Sequence, residues 1–246
     1  MYTLITGASS GIGRQIAICL SKSHRLILQG RDKLRLEETK RSCRDSDLHK
    51  IWALDFKEVE KINDSLQVLL KEIQAEIDCF VHCAGTLKIL PVRSMEPCVV
   101  EEIMNVNYAA AVEITRLLTL KKVNKKSLRN IVFISSTASR YGARGFSAYC
   151  ASKGALDAFM RAIAVELAPG VRANSVLPGA IPSAMTETMM SDPNLLSRME
   201  AAYPLGIGKT TDVADTVEFL LSEKARWITG QQIIVDGGRT VDITSY

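Results

Sequence analysis

Short apolar runs recur along this chain, separated by longer segments of helical periodicity, and that rhythm limits the folds open to it. The runs are 2–5, 25–29, 50–53, 78–83, 129–135, 172–177 and 232–235, mostly continuous and bounded by Gly, Asp or Ser. Strands buried on both faces of a parallel sheet need such runs, whereas half-exposed strands alternate. Helical patterns fill 12–22, 32–43, 57–74, 97–120, 147–167 and 211–221. In the third of these, Ile62, Leu66, Leu69, Leu70 and Ile73 fall on one face. Strand–helix alternation implies right-handed crossovers, so the expected fold is α/β, a doubly wound parallel sheet of about seven strands with helices on both faces. The 246 residues suit one such domain, and no repeat or Pro/Gly-rich linker divides them.

Composition removes several function classes. With 47% hydrophobic and 24% charged residues the chain reads as a packed domain, and a net charge of +4 is too weak to single out nucleic acid or an acidic membrane. The run Lys121-Lys122-Val123-Asn124-Lys125-Lys126 reads as lysines closing a helix and solvating a loop. Met1-Tyr2-Thr3-Leu4-Ile5-Thr6-Gly7 has neither the basic start nor the longer apolar core of a signal peptide, and no stretch approaches the ~18 apolar residues of a membrane span. A cytoplasmic location is expected, with no membrane partner. Cys79 and Cys83 lie in an apolar run, where four strand residues span roughly 13 Å, too far to share one ion. The six cysteines read as free thiols, and no metal is expected.

Segment 183–209 breaks the rhythm. It holds Met185, Met189, Met190 and Met199 with Pro193 and Pro204. An insertion of this size reads as a cover on the substrate side, where adaptable methionines suit an apolar ligand, or equally as a short helix pair capping the core.

Two constellations carry chemistry. Thr6-Gly7-Ala8-Ser9-Ser10-Gly11-Ile12-Gly13 joins the first strand to the first helix. Gly7 allows a sharp turn, Gly11 lets the backbone approach a pyrophosphate, and Gly13 allows close packing of helix on strand. The helix N-terminus offers N–H groups to the phosphates. The other constellation, Tyr149-Cys150-Ala151-Ser152-Lys153, opens a helix, so the phenol and the ammonium share a face. A nearby cation favours phenolate and would tune a phenol of ordinary pKa near 10 toward acid/base work at neutral pH. The plainer alternative is a solvated Tyr/Lys surface pair, but the strand ending at Ser135-Ser136 precedes it, and such strand ends carry ligand sites. Either serine could bond a substrate oxygen.

Together these motifs resemble the short-chain dehydrogenase/reductase family from Tyr2 to about Gly238, which implies a Rossmann-like fold and a carbonyl–alcohol oxidoreductase using a nicotinamide dinucleotide. The resemblance implies catalytic roles for Asn107, Ser136, Tyr149 and Lys153. It selects Ser136 over Ser135 and Asn107 over Asn105, with Asn107 holding a water in a proton relay. It assigns to the cofactor Gly7, Ser9, Ser10, Gly11, Ile12 and Gly13, then Asp55, Ala84 and Gly85. Pro178, Gly179, Ile181 and Ser183 follow on the nicotinamide side. Where the family has Asn-Asn-Ala-Gly this chain has His82-Cys83-Ala84-Gly85, which removes two backbone-bonding amides. His82 reads as a packed strand residue.

After the second strand, Gly30 occupies the position where NAD-preferring enzymes carry an acid, and Arg31 follows, suited to the 2′-phosphate of NADP. Asp32 reads as either a ribose ligand or a helix cap. NADP(H) is therefore expected, with NAD(H) as the alternative. The resemblance also implies a homodimer or homotetramer built on 97–120 and 147–167, although an internal core would give those helices the same composition. It leaves the small-molecule carbonyl or alcohol substrate open, and the compact turn Ala168-Pro169-Gly170 speaks mildly against a ketoacyl carrier protein. The alternatives are an NAD-dependent sugar, polyol or steroid alcohol dehydrogenase and, from another class, a non-catalytic NADP-sensing scaffold.

Overall fold

The computed structural model describes residues 1–183, 186 and 193–242. Its strands are β1 (Tyr2–Thr6), β2 (Leu26–Gly30), β3 (Lys50–Ala53), β4 (Ile77–His82), β5 (Asn130–Ile134), β6 (Arg172–Pro178) and β7 (Gln232–Val235). They form one sheet in the order β3-β2-β1-β4-β5-β6-β7, and every neighbouring pair is parallel. The winding reverses between β1 and β4, so their carboxyl ends diverge into a crevice.

Alternation along each strand sends residues to two separate cores. Leu4, Ile27, Phe80, Ile131 and Phe133 face α3 (Ile62–Ile73), α5 (Ala110–Thr119) and α7 (Ser147–Glu166). Ile5, Leu26, Leu28, Val81 and Val132 face α1 (Gly11–Leu20), α2 (Lys33–Ser42) and, from late in the chain, α9 (Thr210–Leu221). Full burial on both sides is the reason these strands read as unbroken apolar runs.

Two sequence expectations need adjustment. The helix expected over 97–120 is α4 (Pro97–Met104), a π turn over Asn105–Ala109, and α5. The extra residue in the π turn lets Asn107 point inward while Ile103 and Ile114 both stay buried. The lysine run does not close α5; Lys121–Asn124 forms its own short helix, α6, after Leu120 turns extended. In segment 183–209, Pro193–Ala201 is a helix, α8, and Met185, Met189 and Met190 lie outside the described residues.

The reason for α6 is Asn124, whose burial among lysines the charge pattern hid. Its Oδ1 accepts from Ile77 N–H at 2.7 Å and its Nδ2 donates to Ile77 C=O at 2.8 Å, holding the first residue of β4 on both sides. Asn124→Ala leaves both backbone groups unpaired, and urea denaturation should show a loss of about 1–3 kcal/mol with the m-value unchanged.

Candidate active site

The chain leaves β1 at Thr6 and enters α1 at Gly11 through a turn that side chains would block. Gly7 sits at φ +66, and a Cβ on Gly13 would lie 2.2 Å from the Gly7 carbonyl oxygen. Helix and strand meet this closely because neither residue has a side chain. Ser10 precedes α1 without capping it, and no acidic residue sits in the first turn. The leading N–H groups therefore face the crevice free of an internal anion, which fits the pyrophosphate of a dinucleotide.

That crevice has a volume of about 550 Å³. Ser9, Ser10, Gly11 and Ile12 line it from the loop, Arg31 and Asp55 from the ends of β2 and β3. Ala84 and Gly85 follow from the end of β4, and Pro178, Gly179, Ile181 and Ser183 from the end of β6 and the segment after it. Ser136, Tyr149 and Lys153 complete the wall. Among the expected residues Asn107 alone stands behind the surface, fully buried.

One hydroxyl joins the loop to β4. Thr6 Oγ1 accepts from the N–H groups of Cys83 and Ala84, both at 3.1 Å, and meets His82 Nδ1 at 3.0 Å. Two donors fill its lone pairs, so its proton goes to Nδ1 and the neutral imidazole carries its own proton on Nε2. Nε2 turns toward the Val106 and Asn107 carbonyls of the π turn without reaching full hydrogen-bond geometry. Burial, reinforced by the Lys153 charge, pushes His82 down to about 3, so it stays neutral among Phe56, Phe80 and Phe133. His82 is thus the packed residue expected, and Thr6 supplies bonds to the backbone at the altered motif.

Tyr149 and Lys153 lie one turn apart on the buried face of α7, with Lys153 Nζ 5.8 Å from the phenol ring centre. Nζ donates to the Ile134 carbonyl at 2.9 Å, at the carboxyl end of β5. Ser136 faces the phenol and favours its ionised form through a hydrogen bond, while Ser135 Oγ is buried with no partner among the described residues. Asn107 accepts from Thr86 N–H at 2.7 Å and donates to Thr86 C=O at 3.0 Å and Ser152 Oγ at 2.9 Å. Asn105 instead reaches the Lys57 carbonyl, away from this group.

The electrostatics depart from the simple expectation that Lys153 brings the phenol toward neutrality. Burial pushes Tyr149 up to about 12, outweighing the help from Ser136, and pushes Lys153 down to about 8. Desolvation acts against the charged form of each group, and in the protein alone it dominates.

At the outer end of the crevice, Gly30 lies close to Leu36 and Ser9, where a Cβ would come within 3.3 Å of both side chains. Asp32 accepts from Arg35 N–H at 3.2 Å, capping α2. Asp55 accepts from Lys57 N–H at 3.0 Å within the turn that follows β3, and it lines the crevice from there.

Comparison with known proteins decides the family. A family model described as "Enoyl-(Acyl carrier protein) reductase" matches residues 7–240. The chain belongs to the short-chain dehydrogenase/reductase family. L-xylulose reductase of Bos taurus is 29% identical over 96% of this chain and 94% of its own. The uncharacterized oxidoreductase YmfI of Bacillus subtilis is 31% identical over 96% and 97%. A solved 4-hydroxyisoleucine dehydrogenase complexed with NADH superimposes with a TM-score of 0.90 at 29% identity, covering 98% of this chain and 99% of that one. Membership makes this chain an oxidoreductase acting between CH–OH and C=O with a nicotinamide dinucleotide.

For a short-chain dehydrogenase/reductase, the sequence reading missed two groups of residues. Arg35 and Lys57 also line the crevice, beside Arg31 and Asp55. Arg35 was legible in principle, four residues after Arg31 and in the first turn of α2. Tyr203 gave no signal. Its hydroxyl accepts from Ala180 N–H at 2.9 Å, and its ring closes on Gly179, where a Cβ would approach it to 2.9 Å. Among the described residues no helix is long and apolar enough to cross a membrane.

Lys153 leaves a signature in stability. Its folded value of about 8 lies below the ordinary 10.5, so between those pH values the unfolded chain binds more protons. The stability cost of the buried ammonium is fully present below about pH 8 and is relieved as pH rises toward 10.5. Subtracting the pH profile of Lys153→Met from that of the native chain should isolate a rise over this window on the order of 3 kcal/mol. Denaturant titrations of both proteins from pH 7 to 10.5 check it.

Proposed function

We propose that this protein is an NADP(H)-dependent reductase that converts the carbonyl of a small molecule to a secondary alcohol, and the reverse, with Tyr149 as acid/base. The observation that carries the reading is the convergence of Tyr149, Lys153 and Ser136 on the wall of the crevice that the glycine loop opens. The dinucleotide, when bound, supplies the hydride donor or acceptor. Ser136 bonds the substrate oxygen, and Tyr149 gives its proton to that oxygen as negative charge develops on it. Lys153 holds the cofactor ribose and favours the phenolate left behind. Asn107, fixed by Thr86 and Ser152, keeps the π-turn backbone in place for a water-mediated relay to Lys153.

Three features support NADP over NAD. Gly30 brings no acid to the end of β2, Asp32 is engaged as the cap of α2, and Arg31 and Arg35 both line the crevice. A 2′-phosphate between two guanidinium groups gains charge-assisted hydrogen bonds that a ribose hydroxyl does not. Because L-xylulose reductase is among the relatives, a keto-sugar is the first substrate class to assay. We further infer a cytoplasmic homodimer or homotetramer, and one domain in which the 183–209 segment covers the substrate side. Tyr203 supports that arrangement by tying the far end of the segment to Ala180.

NADPH oxidation by the purified protein against L-xylulose, other ketones and ketoacyl thioesters is the primary test. Tyr149→Phe should fold and bind NADPH yet lose roughly 10²–10⁴ in turnover; retained turnover would overturn the acid/base assignment. Arg31→Ala should weaken NADPH roughly 10–100-fold and leave NADH nearly unchanged in fluorescence titrations. Equal weakening of both would remove the case for NADP.

A further inference from the structure

The buried face of α7 carries a third ionisable group that the catalytic reading does not use. Tyr149, Lys153 and Asp157 recur at four-residue spacing, each less than one-tenth exposed. Asp157 is 2% exposed, and neither carboxyl oxygen has a hydrogen-bond partner among the described residues. A buried carboxyl group without hydrogen bonds is costly whether ionised or not, and such groups are rare without a role.

Its position suggests the role. Lys153 bonds one carbonyl, that of Ile134. The titratable groups around it are Cys83 at the end of β4 and Asp157 on its own helix, which act on it, His82, which responds to its charge, and Tyr149, whose ring centre lies 5.8 Å from Nζ. Burial keeps Cys83 a neutral thiol, at about 12, and His82 a neutral imidazole. Tyr149 is a neutral phenol in the protein alone. Asp157 is therefore the one carboxyl group acting on Lys153, and it favours the charged amine. It forms no direct ion pair, and its charge, one helical turn away, opposes a larger effect of burial on the amine.

We propose that Asp157 is a positioning residue, an ionised carboxylate one turn behind Lys153 that balances the buried ammonium and so preserves the field acting on the Tyr149 phenol. This rests on the acid/base reading of Tyr149. Without the carboxylate, burial favours the neutral amine, which exerts no such field.

The test needs no substrate. In protein labelled with ¹³C-lysine, the Lys153 side-chain signal, assigned by its absence in Lys153→Met, is followed through a pH titration by NMR. Asp157→Asn and the apolar Asp157→Leu should both lower the midpoint by roughly one pH unit from its native value. A merely structural role leaves the midpoint in place in both variants, which would overturn the inference. Should neither variant fold, the infrared spectrum of the native protein decides. A protonated-carboxyl band at pH 7 refutes an ionised Asp157, and its absence supports one. Failure here leaves the Tyr149→Phe result standing, whereas full turnover in Tyr149→Phe removes the catalytic reading without moving the lysine midpoint.

Discussion

The hydroxyl of Thr6 is the point on which the rest of the site depends. It closes the carboxyl end of β1 onto that of β4 by accepting two backbone N–H groups and donating to His82. This is where the sheet's winding reverses and the strands part. Left alone, the two N–H groups would be unpaired in a water-poor crevice, at a cost of about 1–3 kcal/mol each. By holding them, Thr6 fixes the distance between the glycine loop on one side and the segment leading to Asn107 on the other. Gly7 has the matching constraint from the opposite direction, since a Cβ there would lie 2.7 Å from the Ala84 nitrogen.

From that junction the site is assembled as a set of buried polar groups, most of them held by backbone. Asn107 is locked to the backbone N–H and C=O of Thr86, Lys153 to the Ile134 carbonyl, and Ala180 to Tyr203. The arrangement is rigid but expensive. Desolvation pushes Tyr149 and Lys153 each toward its neutral form, opposite to the ion pair that a reading of charges alone would give. The protein by itself does not tune the phenol to neutrality. For the acid/base role proposed for Tyr149, the charges around Lys153 therefore bear on the site alongside the residues that line the crevice.

Much of the fold was legible in the sequence, and the reason is burial. Ile131, Val132, Phe133 and Ile134 alternate between two cores, so every position had to be apolar and the strand was visible as a run. Where burial was polar, the signal failed. Asn124, among lysines, reads as surface yet anchors β4 through Ile77. The π turn was hidden inside an apolar helical pattern because it shifts the register by one residue without changing composition. In the crevice wall, Tyr149, Lys153 and the glycine loop were readable because they stand at fixed, short spacing along the chain. Tyr203 was not, since it reaches Ala180 from 23 residues away.

The sequence by itself determined the parallel α/β architecture, the loop that turns β1 into α1, and the shared face of Tyr149 and Lys153. These follow from local geometry, namely the periods of strand and helix and the space a missing Cβ leaves. Only the tertiary structure decided that Asp32 serves as a cap, that His82 is neutral with its proton on Nε2, and that Asp157 is buried one turn from Lys153 with no hydrogen-bond partner among the described residues. Each of those depends on what lies across a gap from the residue, and desolvation and through-space charge are set by neighbours that the order of the chain does not reveal.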